Sequence, residues 1–343
     1  MAEQNILIWL PSPMGDAIMA TPTLRALRRH FDKDQIFLYG SSVLHDLLFP
    51  TDLCDIWIQQ PPGFFRSVST LKAAGLSVCI LLKNSFSAAL AAWLAGIPRR
   101  IGYARDGRSR MLTDRIAPLK EADGRFTPTP AIDYYLRIAQ TLGADTADRT
   151  MELTVINPDT DYLKKRLPAA FQIFGPLVIM VPGGAFGPSK CWSSERFAQT
   201  ADALFETYHA TVVISIAPNS QEKQIAADIQ RLAKHPLINL GDTPLDLETL
   251  KALFARADLV VTNDTGPRHI AIALKRKVIT LFGPNNPQWT QTGYPDEIQV
   301  IGTGPCVPCD KPVCRQNRHY CMESITVEQV LAAARKILSE TAA

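Results

Sequence analysis

The stretch Val260-Val261-Thr262-Asn263-Asp264-Thr265-Gly266-Pro267-Arg268-His269-Ile270-Ala271-Ile272-Ala273-Leu274 decides how this chain is read. It opens as an apolar, β-favouring strand and passes directly into a helical pattern. Asp264 or Thr265 can accept hydrogen bonds from the first free N–H groups of that helix. Gly266 lets a ligand approach the backbone, and Pro267 suits the first helical turn. A helix start of this kind attracts anions, so a phosphate-bearing ligand is one reading. An ordinary strand–turn–helix with a good cap is the other.

The same alternation recurs on both sides of this segment. Downstream lie a strand at Val278–Phe282 and a terminal amphipathic helix at Thr326–Leu338. Upstream, the second half reads as strands at Leu177–Val181, Thr211–Ile216 and Leu237–Leu240, with helices at Ser194–Tyr208, Ser220–Lys234 and Leu247–Arg256. The first half offers strands at Ile6–Leu10, Gln35–Tyr39, Asp55–Ile58 and Val78–Leu82, and helices at Asp16–His30 and Ile132–Leu142. Pro22 either kinks the first helix or marks its true start. Residues Gly102–Pro130 read mostly as loop, and a polar stretch at Asn157–Gly175 separates the halves. Strands alternating with helices in this way imply parallel sheets, hence an α/β class. Doing so twice predicts two Rossmann-like domains, 1–160 and 175–325, with a cleft between them. Ligands of such sheets bind beyond the carboxyl ends of the strands.

Composition narrows the function classes. The chain has 343 residues, enough for two α/β cores. No apolar run is long enough to span a bilayer, and the N-terminus does not read as a signal peptide. A cytoplasmic protein is expected. The net charge of +3 is too mild to imply nucleic acid. Arg99, Arg100, Arg105, Arg108, Arg110 and Arg115 do fall within 17 residues. They form either a solvated loop or a surface for an acidic partner such as a phosphorylated glycolipid.

Candidate chemistry sits at the strand-to-helix junctions. Leu10-Pro11-Ser12-Pro13-Met14-Gly15-Asp16 lacks the three-glycine dinucleotide fingerprint and the lysine of a P-loop. Asp16 is either a helix cap or a general base on a rigid mount. In Pro182-Gly183-Gly184-Ala185-Phe186-Gly187-Pro188-Ser189-Lys190, the glycines, Gly184 among them, permit close backbone approach. Lys190 adds a point charge suited to a diphosphate; a flexible loop with a solvated lysine is the alternative. Glu222 could accept from ribose hydroxyls or serve as a first-turn acid. His269 lies one turn beyond Gly266 and is secondary. Trp192 and Phe197 read as packing residues. Cys306, Cys309, Cys314 and Cys321 fall within 16 residues. The close Cys-x-x-Cys pair suggests a structural zinc site, against reduced thiols or, less compatibly with a cytosolic chain, disulfides.

Together these residues resemble the ADP-heptose:lipopolysaccharide heptosyltransferases, glycosyltransferase family 9. The resemblance rests on Pro13-Met14-Gly15-Asp16 with Thr21-Pro22, and on Lys190-Cys191-Trp192 followed by Glu195-Arg196-Phe197. It rests further on Asp264-Thr265-Gly266-Pro267 with His269, and on Phe282-Gly283-Pro284 with Pro287. The tail with Cys321-Met322 is similar to members of the heptosyltransferase II group. The resemblance implies a GT-B fold of two facing Rossmann-like domains, with acceptor on the first and sugar nucleotide on the second. It implies that the final helix, 326–343, crosses back to the first domain. It also implies an inverting, metal-independent transfer of heptose from ADP-heptose to a phosphorylated lipopolysaccharide inner core, with the second heptose favoured. Asp16 then matches the base, and Lys190 the diphosphate lysine. Glu222 matches the ribose acid, and Asp264, Thr265 and Gly266 match the donor-phosphate loop, with His269 beside them. Arg99, Arg100 and Arg105 are candidate acceptor contacts, and peripheral contact with the inner membrane follows from a lipid-linked acceptor. Arg268 departs from the motif, where an apolar residue is common. It either alters the phosphate contacts or reaches solvent. The competing readings are a sugar-nucleotide epimerase of the same build, a family-9 transferase with another sugar or a protein acceptor, and a non-catalytic nucleotide-binding protein.

Overall fold

Every residue of β1 (Asn5–Trp9) after the first is buried, because a central strand of a parallel sheet is covered on both faces. The register sets Ile8 between Leu38 and Ile80. The computed structural model containing this strand describes residues 4–156, 163–165, 167 and 175–339. Most of the linker read at 157–175 and the last four residues of the terminal helix lie outside them.

The chain forms two compact units, residues 1–154 with 288–292, and residues 155–287 with 293–343. The first unit holds β1, α1 (Met14–Met19), α2 (Thr21–His30), β2 (Gln35–Gly40), α3 (Ser42–Leu48), β3 (Ile56–Gln59), α4 (Phe64–Ala73), β4 (Val78–Leu81), α5 (Phe86–Leu94), β5 (Arg99–Tyr103), β6 (Asp114–Ile116) and α6 (Ala131–Thr141). Its sheet order is β3-β2-β1-β4-β5-β6, parallel throughout. The second unit holds β7 (Leu177–Val181), α7 (Ser194–Tyr208), β8 (Thr211–Ile214), α8 (Ser220–Leu232), β9 (Ile238–Asn239), α9 (Leu247–Phe254), β10 (Leu259–Asn263), α10 (Gly266–Ala273), β11 (Val278–Phe282), β12 (Glu297–Ile301), α11 (Tyr320–Glu323) and α12 (Val327–Ser339). Its order is β12-β11-β10-β7-β8-β9, again parallel.

Counted from its own first strand, each sheet therefore reads 3-2-1-4-5-6. In that order the strand sequence reverses between the first and fourth strands, which opens a crevice at their carboxyl ends. The crevice lies beside β1 and β4 in the first unit, and beside β7 and β10 in the second.

One expectation needs correction. The helix read at Asp16–His30 is two helices: Pro22 lies in the first turn of α2, and Thr21 Oγ1 closes the break by donating to the Ile18 carbonyl (2.7 Å). The stretch Gly102–Pro130 is mostly loop, as read, with the end of β5 and the short β6 inside it. α12 contributes to the core of the second unit. There Val330, Ala333, Ala334 and Ile337 share one core with Val178 and Val261 of the sheet and Phe197 of α7. Residues Gln288–Thr292 belong to the first unit. No helix among the described residues is long and apolar enough to cross a membrane.

Candidate functional site

In the first unit, the crevice beside β1 carries Asp16. The residue stands in the first turn of α1, where a helix start favours a negative charge, but Pro13 occupies the cap position. The Asp16 carboxylate is held from α6, where Tyr135 donates its O–H to Oδ1 (2.9 Å). Burial, and then the Asp16 charge, push the Tyr135 phenol well above its ordinary range, so it stays a donor. Asp16 borders a cavity of about 360 Å³ within this unit, lined also by Asn84, Arg105, Phe126, Tyr134, Arg137 and Trp289. Tyr134 stacks on Tyr103 (3.9 Å between centroids), and the Arg105 guanidinium lies over the Phe126 ring (4.2 Å). Fully buried Arg108 fixes the floor, donating to the Tyr103 carbonyl (2.8 Å), the Lys83 carbonyl (2.6 Å) and Asn84 Oδ1 (2.7 Å). Aromatic faces with a few polar groups and cations suit a sugar bearing anionic groups.

The predicted arginines separate. Arg105 reaches the cavity. Arg99 and Arg100 do not: they start β5, at the opposite end of the sheet from the strand ends that carry Asp16. Arg99 pairs with Asp114 (2.9 Å), and Arg100 donates to the carbonyls of Met111 (2.6 Å), Pro98 (3.1 Å) and Ile97. Both are occupied in closing a turn.

In the second unit, the crevice beside β7 and β10 brings together Gly184, Lys190, Glu222, Asp264, Thr265, Gly266 and His269. Lys190 follows β7 in a short 3-10 turn and is buried. Its ammonium donates to the Asp264 carbonyl (2.8 Å) and to Asp264 Oδ2 (2.9 Å). Burial alone would raise the Asp264 carboxyl; Lys190 and Arg268 outweigh it and hold the group below the usual carboxylate range. Asn263 Nδ2 ties the end of β10 to β7 through the Pro182 carbonyl (2.7 Å). A Cβ at Gly184 would lie 3.2 Å from Thr265 Cγ2, so the two junctions touch.

The cap expected at Asp264 or Thr265 is not made. Thr265 occupies the cap position without a side-chain cap hydrogen bond, and Asp264 is turned into the ion pairs. Asn263 Oδ1, Thr265 Oγ1 and His269 Nδ1 are buried without a hydrogen-bond partner among the described residues. Buried polar atoms are normally satisfied, so this group around one helix start is what a polar ligand would complete. Burial, and then the neighbouring Arg268, lower His269 to about 3, so its imidazole is neutral at physiological pH.

Glu222 sits in the first turn of α8 and accepts from the Ala217 N–H (2.8 Å). Asn219 caps the same helix, accepting from the Glu222 N–H (2.9 Å), so Glu222 does serve the helix start. It also faces Gly183 closely: a Cβ there would fall 2.0 Å from Glu222 Oε2. The carboxylate thus borders the β7 junction, and a small slot lined by Ile216, Pro218, Leu240 and Leu245 lies beyond the ends of β8 and β9.

Cys306, Cys309 and Cys314 lie close enough to Cys321 to act on its thiol electrostatically, after burial. Among the described residues, no group of three or more His, Cys, Asp or Glu side chains is arranged to hold a metal ion. Cys306, Cys309, Cys314 and Cys321 are free, and burial pushes the Cys321 thiol up. Their segment has another task. Ser189, next to Lys190, donates its N–H to the Pro312 carbonyl (3.2 Å) and its Oγ–H to the Lys311 carbonyl (2.6 Å), and its own carbonyl meets His319 Nε2 (2.6 Å). The loop therefore holds the turn that carries Lys190.

The sequence profile described as Glycosyltransferase family 9 (heptosyltransferase) matches residues 64–319. The chain belongs to this family. Relatives align along nearly its whole length. The Lipooligosaccharide heptosyltransferase 2 of Campylobacter jejuni is 24% identical over 97% of this chain and 99% of its own. The Lipopolysaccharide heptosyltransferase 2 of Salmonella typhimurium is 26% identical over 98% of this chain and 99% of its own. The solved structure of the Escherichia coli ADP-heptose lps heptosyltransferase II superposes with a TM-score of 0.80 at 22% identity, covering 99% of this chain and 100% of that one. The fold is thus the GT-B class read from the sequence, and the chain is a glycosyltransferase. Several residues at the Asp16 cavity escaped the sequence reading. Tyr134, Tyr135 and Arg137 read only as one side of an amphipathic helix, and nothing local links Asp16 to a residue 119 positions away.

Proposed function

We propose that this family 9 enzyme transfers heptose from ADP-heptose to the inner core of lipopolysaccharide, at the second-heptose step, with inversion. The observation that carries the reading is that the two equivalent crevices hold complementary chemistry. One has a carboxylate at a sugar-sized cavity. The other has a buried lysine at an uncapped helix start.

In this reading, Asp16 accepts the proton of an acceptor hydroxyl, with Tyr135 holding the carboxylate in place. The freed oxygen attacks the anomeric carbon as ADP departs from the opposite face, through an oxocarbenium-like state. Lys190 and the start of α10 meet the charge that gathers on the departing diphosphate, so the step calls on no metal ion. Glu222 is positioned for ribose hydroxyls, and the slot near Ile216 and Leu240 for the base. Arg105 and Arg137 at the Asp16 cavity favour an acceptor with anionic groups. A lipid-linked acceptor would bring the protein to the cytoplasmic face of the inner membrane. The names of the full-length relatives support both the donor and the acceptor class.

The test is to incubate the purified protein with ADP-heptose and a lipopolysaccharide core that ends at its first heptose. ADP release with addition of one heptose of inverted configuration is expected. Release or epimerisation of the donor without an acceptor, or transfer to a different acceptor class only, overturns the proposal.

A further inference from the structure

Lys190 has to be available to a diphosphate, yet in the structure it is tied to Asp264 by both the carbonyl and the carboxylate. The carboxylate is buried, and withdrawing the only counter-ion from a buried carboxylate is strongly unfavourable. Asp264 has a second cation. Arg268, one turn along α10 and fully buried, donates from Nη1 to Asp264 Oδ1 (3.1 Å). Arg268 is itself anchored from β12, where Glu297 takes Nε at 2.6 Å and Nη2 at 3.0 Å. Its guanidinium also lies over the Phe282 ring (5.0 Å). The four charges alternate in sign: Lys190, Asp264, Arg268, Glu297.

We infer that Arg268 is a positioning residue that frees Lys190 for the donor's diphosphate, by keeping Asp264 paired when the lysine turns to phosphate. The inference rests on the proposed donor role of Lys190 and goes beyond it. Arg suits the task because its planar fork can serve two carboxylates at once, which an ammonium cannot do with the same geometry. Without Arg268, Lys190 becomes the principal counter-ion of a buried carboxylate and is held there. Arg268 touches neither ligand nor reacting atom in this account; it acts through Asp264.

The experiment compares ADP with AMP binding by calorimetry in four proteins: wild type, K190M, R268M/E297Q, and R268M/E297Q with D264N added. The double variant removes Arg268 without leaving Glu297 charged and unpaired. ADP affinity should fall on the order of tenfold in it, as for loss of a charge-assisted contact, while AMP affinity stays near wild type. Adding D264N should restore ADP binding, because Lys190 is no longer held by a charge. Wild-type ADP affinity in the double variant overturns the inference, as does an equal loss of ADP and AMP affinity, the mark of mere structural support. Should the double variant fail to fold, R268K serves: the same selective loss of ADP affinity supports the inference, and unchanged ADP affinity refutes it. If K190M itself binds ADP like wild type, the donor reading of Lys190 has failed, which is a separate result.

Discussion

The two crevices arise from one topology and differ in almost everything else. Both open where a 3-2-1-4-5-6 parallel sheet reverses its strand order. In the first unit the crevice is roomy, aromatic and bordered by a half-buried carboxylate with a tyrosine donor. In the second it carries a buried chain of alternating charges and, among the described residues, several polar atoms left unpartnered at a helix start. The comparison teaches that the fold supplies the place and the loops supply the chemistry. A carboxylate mounted beside a cavity suits proton removal from a sugar hydroxyl. A lysine beside an uncapped helix start suits an anion.

Substitutions can break this division of labour. The largest effect is expected for Asp16→Asn, which removes the base while keeping the shape. The transfer rate should fall by about 10²–10⁴, with ADP affinity unchanged in a direct binding assay. Lys190→Met should lower the rate by about 10²–10³ and weaken ADP as well, since the lysine meets charge in both ground and transition states. Steady-state kinetics alongside ADP titration separates the two patterns.

Tyr135→Phe should act more mildly and more specifically. An O–H donated to a carboxylate favours its ionised form, so removing it moves the acid limb of the pH–rate profile to higher pH. Arg105 and Arg137 still line the cavity and favour the anion, so the rate above that limb should fall by less than about tenfold. A profile superimposable on wild type would remove Tyr135 from the account.

The last effect is on stability and leaves the reaction aside. The His269 imidazole titrates near 3 in the folded protein, against about 6.5 when unfolded. Between those values the unfolded state binds more protons, so stability is lost as pH falls through 6.5 towards 3. The slope from this group approaches about 1.4 kcal/mol per pH unit in that window. Chemical denaturation at pH 7.5 and 5.0 should show a smaller acid loss for His269→Gln than for wild type. An equal loss would mean that His269 protonates freely in the fold.

How far the sequence carried the reading depended on whether the signal was local. The strands at Leu177–Val181 and Val278–Phe282 were legible to the residue, because buried parallel strands are short unbroken apolar runs. The junctions with Asp16, Lys190, Glu222 and Asp264 were legible because each follows such a run. β5 was missed because it opens with Arg99 and Arg100, and β12 because it begins with Glu297. Arg268 was expected to meet phosphate or water, yet it is fully buried. Its partner Glu297 lies 29 residues away on a strand that the sequence did not announce, and no spacing rule connects them. The helix cap failed for a related reason: the side chain expected to make it had been taken by ion pairs.

In the proposed reaction the two crevices divide base and donor between them. That division is tested most directly by titrating ADP into wild type, Asp16→Asn and Lys190→Met under one set of conditions, alongside a transfer assay. The account predicts that both variants lose transfer, that Asp16→Asn binds ADP as wild type does, and that Lys190→Met binds it at least about tenfold more weakly. Weakened ADP binding in Asp16→Asn, or wild-type ADP binding in Lys190→Met, would contradict it.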